Sequence, residues 1–223
     1  MKGVDISQHN GDVDFGRVKS AGIEFVILRA GYGKCISQID VDFYRNYKNA
    51  KDNGLKVGAY WYSYANSPDE ALLESKVFCE VVKGLEFDLP LYYDIEENTT
   101  LKQATANIQT FCNYLESQGY FAGVYANANA FNNFIDSSIK SRYTTWLAHW
   151  SDKPAFVSPM WQNSSTGRID GIKGYVDTDI ANDELLKWVK QRGGEKPAEN
   201  KKTDSKTRIR VMIGDKTVYD EFI

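Results

Sequence analysis

An α/β fold of the TIM type, a (β/α) barrel modified by shortened later units, is predicted by two patterns. Short β-rich runs recur along the chain, and helical stretches with clear start and stop residues separate the earlier ones. The runs occupy residues 3–7, 25–31, 56–64, 89–95, 121–125, 145–149, 159–162 and 174–177, the strand number of a closed barrel. A third observation places polar chemistry where such barrels keep it: the fourth run turns abruptly acidic at its C-terminal end.

The first run, Gly3-Val4-Asp5-Ile6-Ser7, is apolar around one aspartate. After residues 25–31 comes a helix from Asp42 to Asn53, stopped by Gly54. Residues 56–64 lead into Ser67-Pro68, a cap and first-turn proline that open a helix running to Val82. Residues 89–95 precede a helix from Thr100 to Gln118, ended by Gly119. The runs near 145, 160 and 175 are joined by too few residues for full crossover helices, so the second half of the barrel is expected to be irregular.

After a helix from Asn182 to Lys190, the stretch beginning Gly193-Gly194-Glu195-Lys196-Pro197 has no apolar periodicity and reads as a linker. Residues 208–213 and 217–223 alternate like strands around Gly214-Asp215, too short a segment to bury a core. The expected organisation is therefore a barrel over 1–190, a linker over 191–207, and over 208–223 a β-hairpin fragment. That fragment either docks on the barrel or begins a further C-terminal module.

A formal charge of −3 and a pI near 5.5 give no basic field, which disfavours a nucleic-acid partner. No apolar run approaches the roughly 18 residues of a membrane span. The opening Met1-Lys2-Gly3 runs straight into a strand pattern without signal-peptide features, so action outside the cell would need a removed leader or another route. Cys35, Cys79 and Cys112 are odd in number and lack metal-ligand spacing, which favours free thiols. His9 and His149, without close spacing, give no metal site beside Asp5.

The chemistry concentrates in Leu89-Pro90-Leu91-Tyr92-Tyr93-Asp94-Ile95-Glu96-Glu97-Asn98. Side chains alternate along a strand, so Asp94 and Glu96 point the same way and Ile95 the opposite way. Crowded like charges favour one protonated carboxyl. Glu96, nearer the mouth, is the candidate general acid, and Asp94 the ionised partner that steadies positive charge on a substrate. Read without function, the same residues are a solvated acidic loop. Asp5 and Asp177, near the ends of the first and last strands, are further candidates because a carboxylate within a buried strand is costly unless paired or used. Asp179 reads instead as a capping or turn carboxylate. Other strand ends offer Arg29 and Tyr32, Tyr60 and Tyr62, Tyr125 and Asn127, His149 and Trp150, and Trp161 and Gln162, the makings of a sugar cleft.

Taken in order, these motifs resemble glycoside hydrolase family 25, the Chalaropsis-type lysozymes of bacteria, fungi and phage endolysins, over residues 1 to about 190. The carriers are Gly3-Val4-Asp5-Ile6-Ser7, Phe25-Val26-Ile27-Leu28-Arg29-Ala30-Gly31-Tyr32-Gly33, Gly58-Ala59-Tyr60-Trp61-Tyr62-Ser63, Asp94-Ile95-Glu96, Gly123-Val124-Tyr125, Met160-Trp161-Gln162 and Gly174-Tyr175-Val176-Asp177. The resemblance implies hydrolysis of the β-1,4 bond between N-acetylmuramic acid and N-acetylglucosamine in peptidoglycan, at the cell wall, without metal or cofactor, and a monomer is expected. It makes Glu96 the catalytic acid, Asp94 its partner, Asp5 and Asp177 cleft aspartates, and Tyr62 a tyrosine lining the site. It implies retention of configuration, through the substrate's acetamido group or a carboxylate nucleophile. Asp179 departs from the pattern, since many relatives have a neutral residue there. Two alternatives stay open: a non-catalytic glycan-binding barrel, and a related hydrolase acting on chitin.

Overall fold

The computed structural model describes residues 1–192 and two strand segments, 208–213 and 216–222. Eight strands close into a barrel in sequence order: β1 (Lys2–Ile6), β2 (Phe25–Tyr32), β3 (Lys56–Tyr62), β4 (Leu91–Asp94), β5 (Ala122–Asn127), β6 (Thr144–Ala148), β7 (Met160–Gly167) and β8 (Val176–Ala181). The helices are α1 (Phe15–Ser20), α2 (Phe43–Asp52), α3 (Pro68–Val82), α4 (Asn98–Leu101), α5 (Ala104–Ser117), α6 (Ala128–Asn133), α7 (Ser137–Arg142) and α8 (Glu184–Arg192). Most of the expected linker, from residue 193, lies outside the described residues, as does the turn at 214–215. The segments β9 (Arg208–Ile213) and β10 (Lys216–Phe222) pair antiparallel as a sheet of their own.

Start and stop residues act locally as their chemistry dictates. The Ser67 hydroxyl accepts the Glu70 amide at the start of α3, with Pro68 in the first turn where its missing N–H costs nothing. Gly54, with φ of 68°, follows α2 in a left-handed conformation that side-chain-bearing residues avoid. The single helix expected from Thr100 to Gln118 is instead two, α4 and α5, because Gln103 leaves helical geometry with φ of −120°. Short helices α1, α6 and α7 lie below the length at which hydrophobic periodicity becomes legible; Asp14, Asn127 and Asp136 cap them through side-chain oxygens.

Strands β1 to β7 run parallel, whereas β8 runs antiparallel to both of its neighbours, β7 and β1. Only residues 168–175 separate β7 from β8, fewer than the dozen or so that a crossover needs. The chain therefore turns back, β7 extends to Gly167, and the last strand is residues 176–181 rather than 174–177. This corrects the placement of Asp177: it lies near the start of the last strand, and reversal of that strand brings its start to the rim where the other strands end.

Two apolar layers hold the barrel. Between strands and helices lie Trp61, Phe78, Tyr93, Ile95 and Phe111, with Tyr93 stacked on Phe111 at 3.9 Å. Inside the barrel, Phe25, Ile27, Tyr92, Tyr125, Trp146 and Met160 fill the bore, so it is a packed core and not a pore. Trp146 is central, with Tyr125 at 4.5 Å, Tyr92 at 5.2 Å and Tyr60 at 5.9 Å between ring centroids. Glycines make room for these rings: a Cβ on Gly3 would lie 2.2 Å from the Phe25 ring, and one on Gly123 2.6 Å from Tyr92. The three cysteines are free; burial raises the Cys79 thiol to about 12 and lifts Cys112 as well, leaving Cys35 as the exposed one.

Gly3→Ala is expected to cost about 1–3 kcal/mol through overpacking against Phe25, read as a lower urea midpoint at unchanged slope.

Candidate active site

Inward-facing positions on β1, β4 and β8, with the residues just after β4, converge on one rim of the barrel. Asp94 ends β4 and is only 2% exposed; its carbonyl accepts the Ser63 amide at 3.0 Å, tying the ends of β3 and β4 together. Ile95 turns into the outer core, as alternation requires, and Glu96 returns to the inner side at the mouth. The Asp94 and Glu96 carboxyls hydrogen-bond to each other. Opposite them, Asp5 on β1 faces Asp177 across the β1–β8 ladder.

These groups perturb one another strongly. Burial lifts Asp94 well above the usual carboxylate range, and the charges of Glu96 and Asp5 and the bond to Glu96 add to the lift; Arg29 opposes it. Glu96 is raised too, first by burial, although it reaches solvent: neighbouring protein hems in its carboxyl while its outer edge stays open. The bond to Asp94 pulls Glu96 back down. Both carboxyls are thus displaced upward, which favours a proton retained by the pair. Asp94, expected to be the ionised member, is the more deeply buried of the two, and desolvation falls hardest on it. Asp94 Oδ1 has no ordinary donor, as suits an oxygen whose partner is another carboxyl.

Gln162 on β7 joins the two sides of the rim. Its Nε2 donates to Asp5 Oδ2 at 2.8 Å, while its Oε1 accepts from Tyr125 Oη at 3.0 Å and from Trp150 Nε1 at 3.1 Å. Trp150 is thereby held at the mouth with 63% of its surface exposed. Tyr60 packs inside against Trp146, close enough to Asp5 and Asp94 for their charges to raise its phenol further above the position set by burial. A groove of about 290 Å³ opens beside the pair, lined by Gln8, His9, Arg29, Tyr32, Tyr62 and Tyr64. Tyr62 donates to Glu97 Oε1 at 2.7 Å, and its ring lies 5.2 Å from that of Tyr64. Arg29 is fixed by Asp40, which accepts its Nε at 2.8 Å and the Gln8 amide at 3.0 Å.

Thus Asp5, Asp94, Glu96, Asp177, Arg29, Tyr32, Tyr60, Tyr62, Tyr125, Trp150 and Gln162 gather at one end of the barrel. Trp161 does not: it turns outward, packs on the outer layer and donates to the His149 carbonyl at 2.7 Å. Alternation from the inward Gln162 assigns it that face. Sequence reasoning missed Tyr64, although the period of two from Tyr60 and Tyr62 reaches it. It also misjudged Asp179, which is no cap: it lies inside the barrel, 2% exposed, accepting the Trp146 indole N–H at 2.8 Å. With β8 taken as parallel, residue 179 fell beyond the strand; with β8 reversed, it falls one layer deeper than Asp177. A larger hollow, about 610 Å³ around Thr144, Pro159 and Trp188, lies at the opposite end of the strands from the carboxyls.

Two neighbouring carboxyls at the C-terminal end of a barrel strand, beside a tyrosine-walled groove, occupy the face where barrel enzymes place their chemistry. Sequence comparison makes the class specific: residues 4–172 match the family described as Glycosyl hydrolases family 25, and the chain belongs to that family. The autolytic lysozyme of Clostridium acetobutylicum is 31% identical over 191 residues, 83% of this chain and 57% of that protein. This chain thus spans little more than half the length of that relative. Lysozyme M1 of Streptomyces globisporus is 28% identical over 82% of this chain and 68% of its own length. Among solved structures, the CTP1L endolysin superposes with a TM-score of 0.75 at 27% identity, covering 85% of this chain and 69% of that one. The bacterial lysozyme from Streptomyces coelicolor matches with a TM-score of 0.75 at 25% identity, over 86% and 98% respectively.

Gln162→Leu strands three polar partners at once. It is expected to lower stability by about 1–3 kcal/mol and to free Trp150, seen as a red-shifted, more quenchable indole emission.

Proposed function

We propose that this chain is a lysozyme that hydrolyses the β-1,4 bond between N-acetylmuramic acid and N-acetylglucosamine in peptidoglycan, acting at the cell wall. The observation that carries the reading is the Asp94–Glu96 pair: two carboxyls in contact at the barrel mouth, both raised by burial, of which Asp94 is buried and Glu96 reaches solvent. Family membership and similarity to proteins named lysozymes support it.

Glu96 is the group placed to touch the glycosidic oxygen. Binding of a sugar whose acetamido N–H points at Asp94 supplies that carboxyl with a donor, which stabilises its charge and lets the shared proton pass to Glu96. Glu96 then gives the proton to the leaving oxygen as the bond to the anomeric carbon breaks. The acetamido carbonyl, oriented by Asp94, closes on the anomeric carbon, and the ionised Glu96 later takes a proton from the water that opens this intermediate. Carboxyls close enough to hydrogen-bond leave no room for a sugar carbon between them, unlike the spacing of about 5 Å in the two-carboxylate retaining scheme. Burial of Asp94 beneath Glu96 also favours an orienting role over direct attack. Asp5 and Asp177 stand opposite the pair, so the charge that this group of carboxyls retains lies where positive charge develops on the sugar. Tyr32, Tyr62 and Tyr64 offer ring faces for stacking.

Glu96→Gln is expected to keep the fold and lower release of reducing ends from purified peptidoglycan by about 10²–10⁴-fold, because an amide has no proton to give. Asp94→Asn should be severely impaired and Asp5→Asn less so. Near wild-type release by Glu96→Gln would rule out its role as the acid, and equal mild losses in all three would indicate a binding barrel. Mass spectrometry of the products from peptidoglycan and from chitin separates the two substrates.

A further inference from the structure

We propose that Asp179 is a positioning residue for this hydrolysis, holding Asp5 at the floor of the cleft through one proton shared between their carboxyl groups; the role rests on the glycosidase reading above. The geometry is that of a second carboxyl pair, one layer below the first. Asp5 and Asp177 oppose each other across the β1–β8 ladder, and Asp179 opposes Gly3, one inward position deeper. Asp179 Oδ1 accepts the Trp146 indole N–H at 2.8 Å, whereas its Oδ2 is buried with no ordinary donor. Its carboxyl is in hydrogen-bond contact with that of Asp5, whose Oδ2 accepts Gln162 Nε2 at 2.8 Å. Two ionised carboxylates cannot make such a bond, because neither has a hydrogen to donate. With a proton between them, the Asp179 oxygen is satisfied and Asp5 is gripped from two sides, by Gln162 and by Asp179.

The surroundings keep that proton in place. On its own strand Asp179 has Asp177; from β1 it has Asp5, from β6 the Trp146 indole and from β4 the neutral Tyr92 phenol. Asp5 in turn feels Asp177 and Glu96. None of these groups is a cation, and Arg29 on β2 is committed to Asp40. Burial, followed by the charge of Asp177, raises Asp179 to about 8 against the opposing bonds to the Trp146 indole and to Asp5. The floor of the cleft therefore carries less negative charge at neutral pH than its carboxyls would suggest, and Asp5 offers the sugar a fixed partner.

The test compares Asp179→Asn with Asp179→Leu in the full chain. The asparagine N–H can replace the shared proton while its carbonyl still accepts from Trp146; leucine, with the same branched outline in a bulkier side chain, can do neither. At about pH 6 and well below the melting temperature, Asp179→Leu is expected to lose about tenfold or more in kcat/KM, chiefly in kcat, and Asp179→Asn to recover most of that loss. The second readout is Tm against pH. A carboxyl whose folded value is raised stabilises fully below its unfolded value of about 4, and that contribution drains away as pH climbs to the folded value. Asparagine does not titrate, so the Tm of Asp179→Asn minus that of wild type should widen between about pH 5 and 8 and then level off. Equal kcat/KM for the two variants, or a Tm gap independent of pH, would overturn the proposal. If the wild type releases no reducing ends at all, the hydrolase reading fails, while the Tm series still decides whether the proton is shared.

Discussion

Five carboxyl groups, Asp5, Asp94, Glu96, Asp177 and Asp179, are drawn into one end of a closed barrel, and they cannot all be charged there. Much of the architecture follows from that constraint. Desolvation makes ionisation expensive, and the guanidinium that offsets it at Asp94 is already bonded to Asp40. Protons are retained between carboxyls instead. Under the proposed hydrolysis a retained proton is what a general acid requires, so the electrostatic strain of the assembly and its proposed chemistry are the same feature.

The barrel tolerates this load because its interior supplies polar partners at the right depth. The Trp146 indole and the Gln162 amide are the two that reach the buried acids, and both belong to β6 and β7, strands of the shortened half. The missing crossover helices there are thus not simply lost mass. Folding β8 back on β7 brings a strand into the barrel in the reverse direction, and Asp177 and Asp179 enter from the rim downward. A parallel strand with the same residues would have carried them outward in the opposite order. The more regular half contributes the other elements: β2, β3 and β4 run parallel, and their ends deliver Arg29, Tyr62 and Asp94.

The aromatic groups at the rim are divided in a comparable way. The tyrosine groove lies on the β2–β3 side, walled by residues whose rings touch one another, Tyr32 to Tyr64 at 6.1 Å and Tyr62 to Tyr64 at 5.2 Å. Trp150 stands alone on the far side, on the connection between β6 and β7, oriented only by its bond to Gln162.

Sequence alone determined the barrel, the position of the acidic pair and the facing of Asp94, Ile95 and Glu96, because periodicity and cap chemistry are local and a strand's alternation is fixed by its own backbone. The same rule, followed two residues on from Tyr62, reaches Tyr64. Tertiary structure alone decided the rest. The direction of β8 depends on whether eight residues can span a crossover, and with it went the meaning of Asp177 and Asp179. The deeper burial of Asp94 than of Glu96 is likewise a property of packing and not of spacing. Trp161 and Gln162 are neighbours in the chain, yet they serve opposite faces of the wall, and only closure of the barrel establishes which face holds the site.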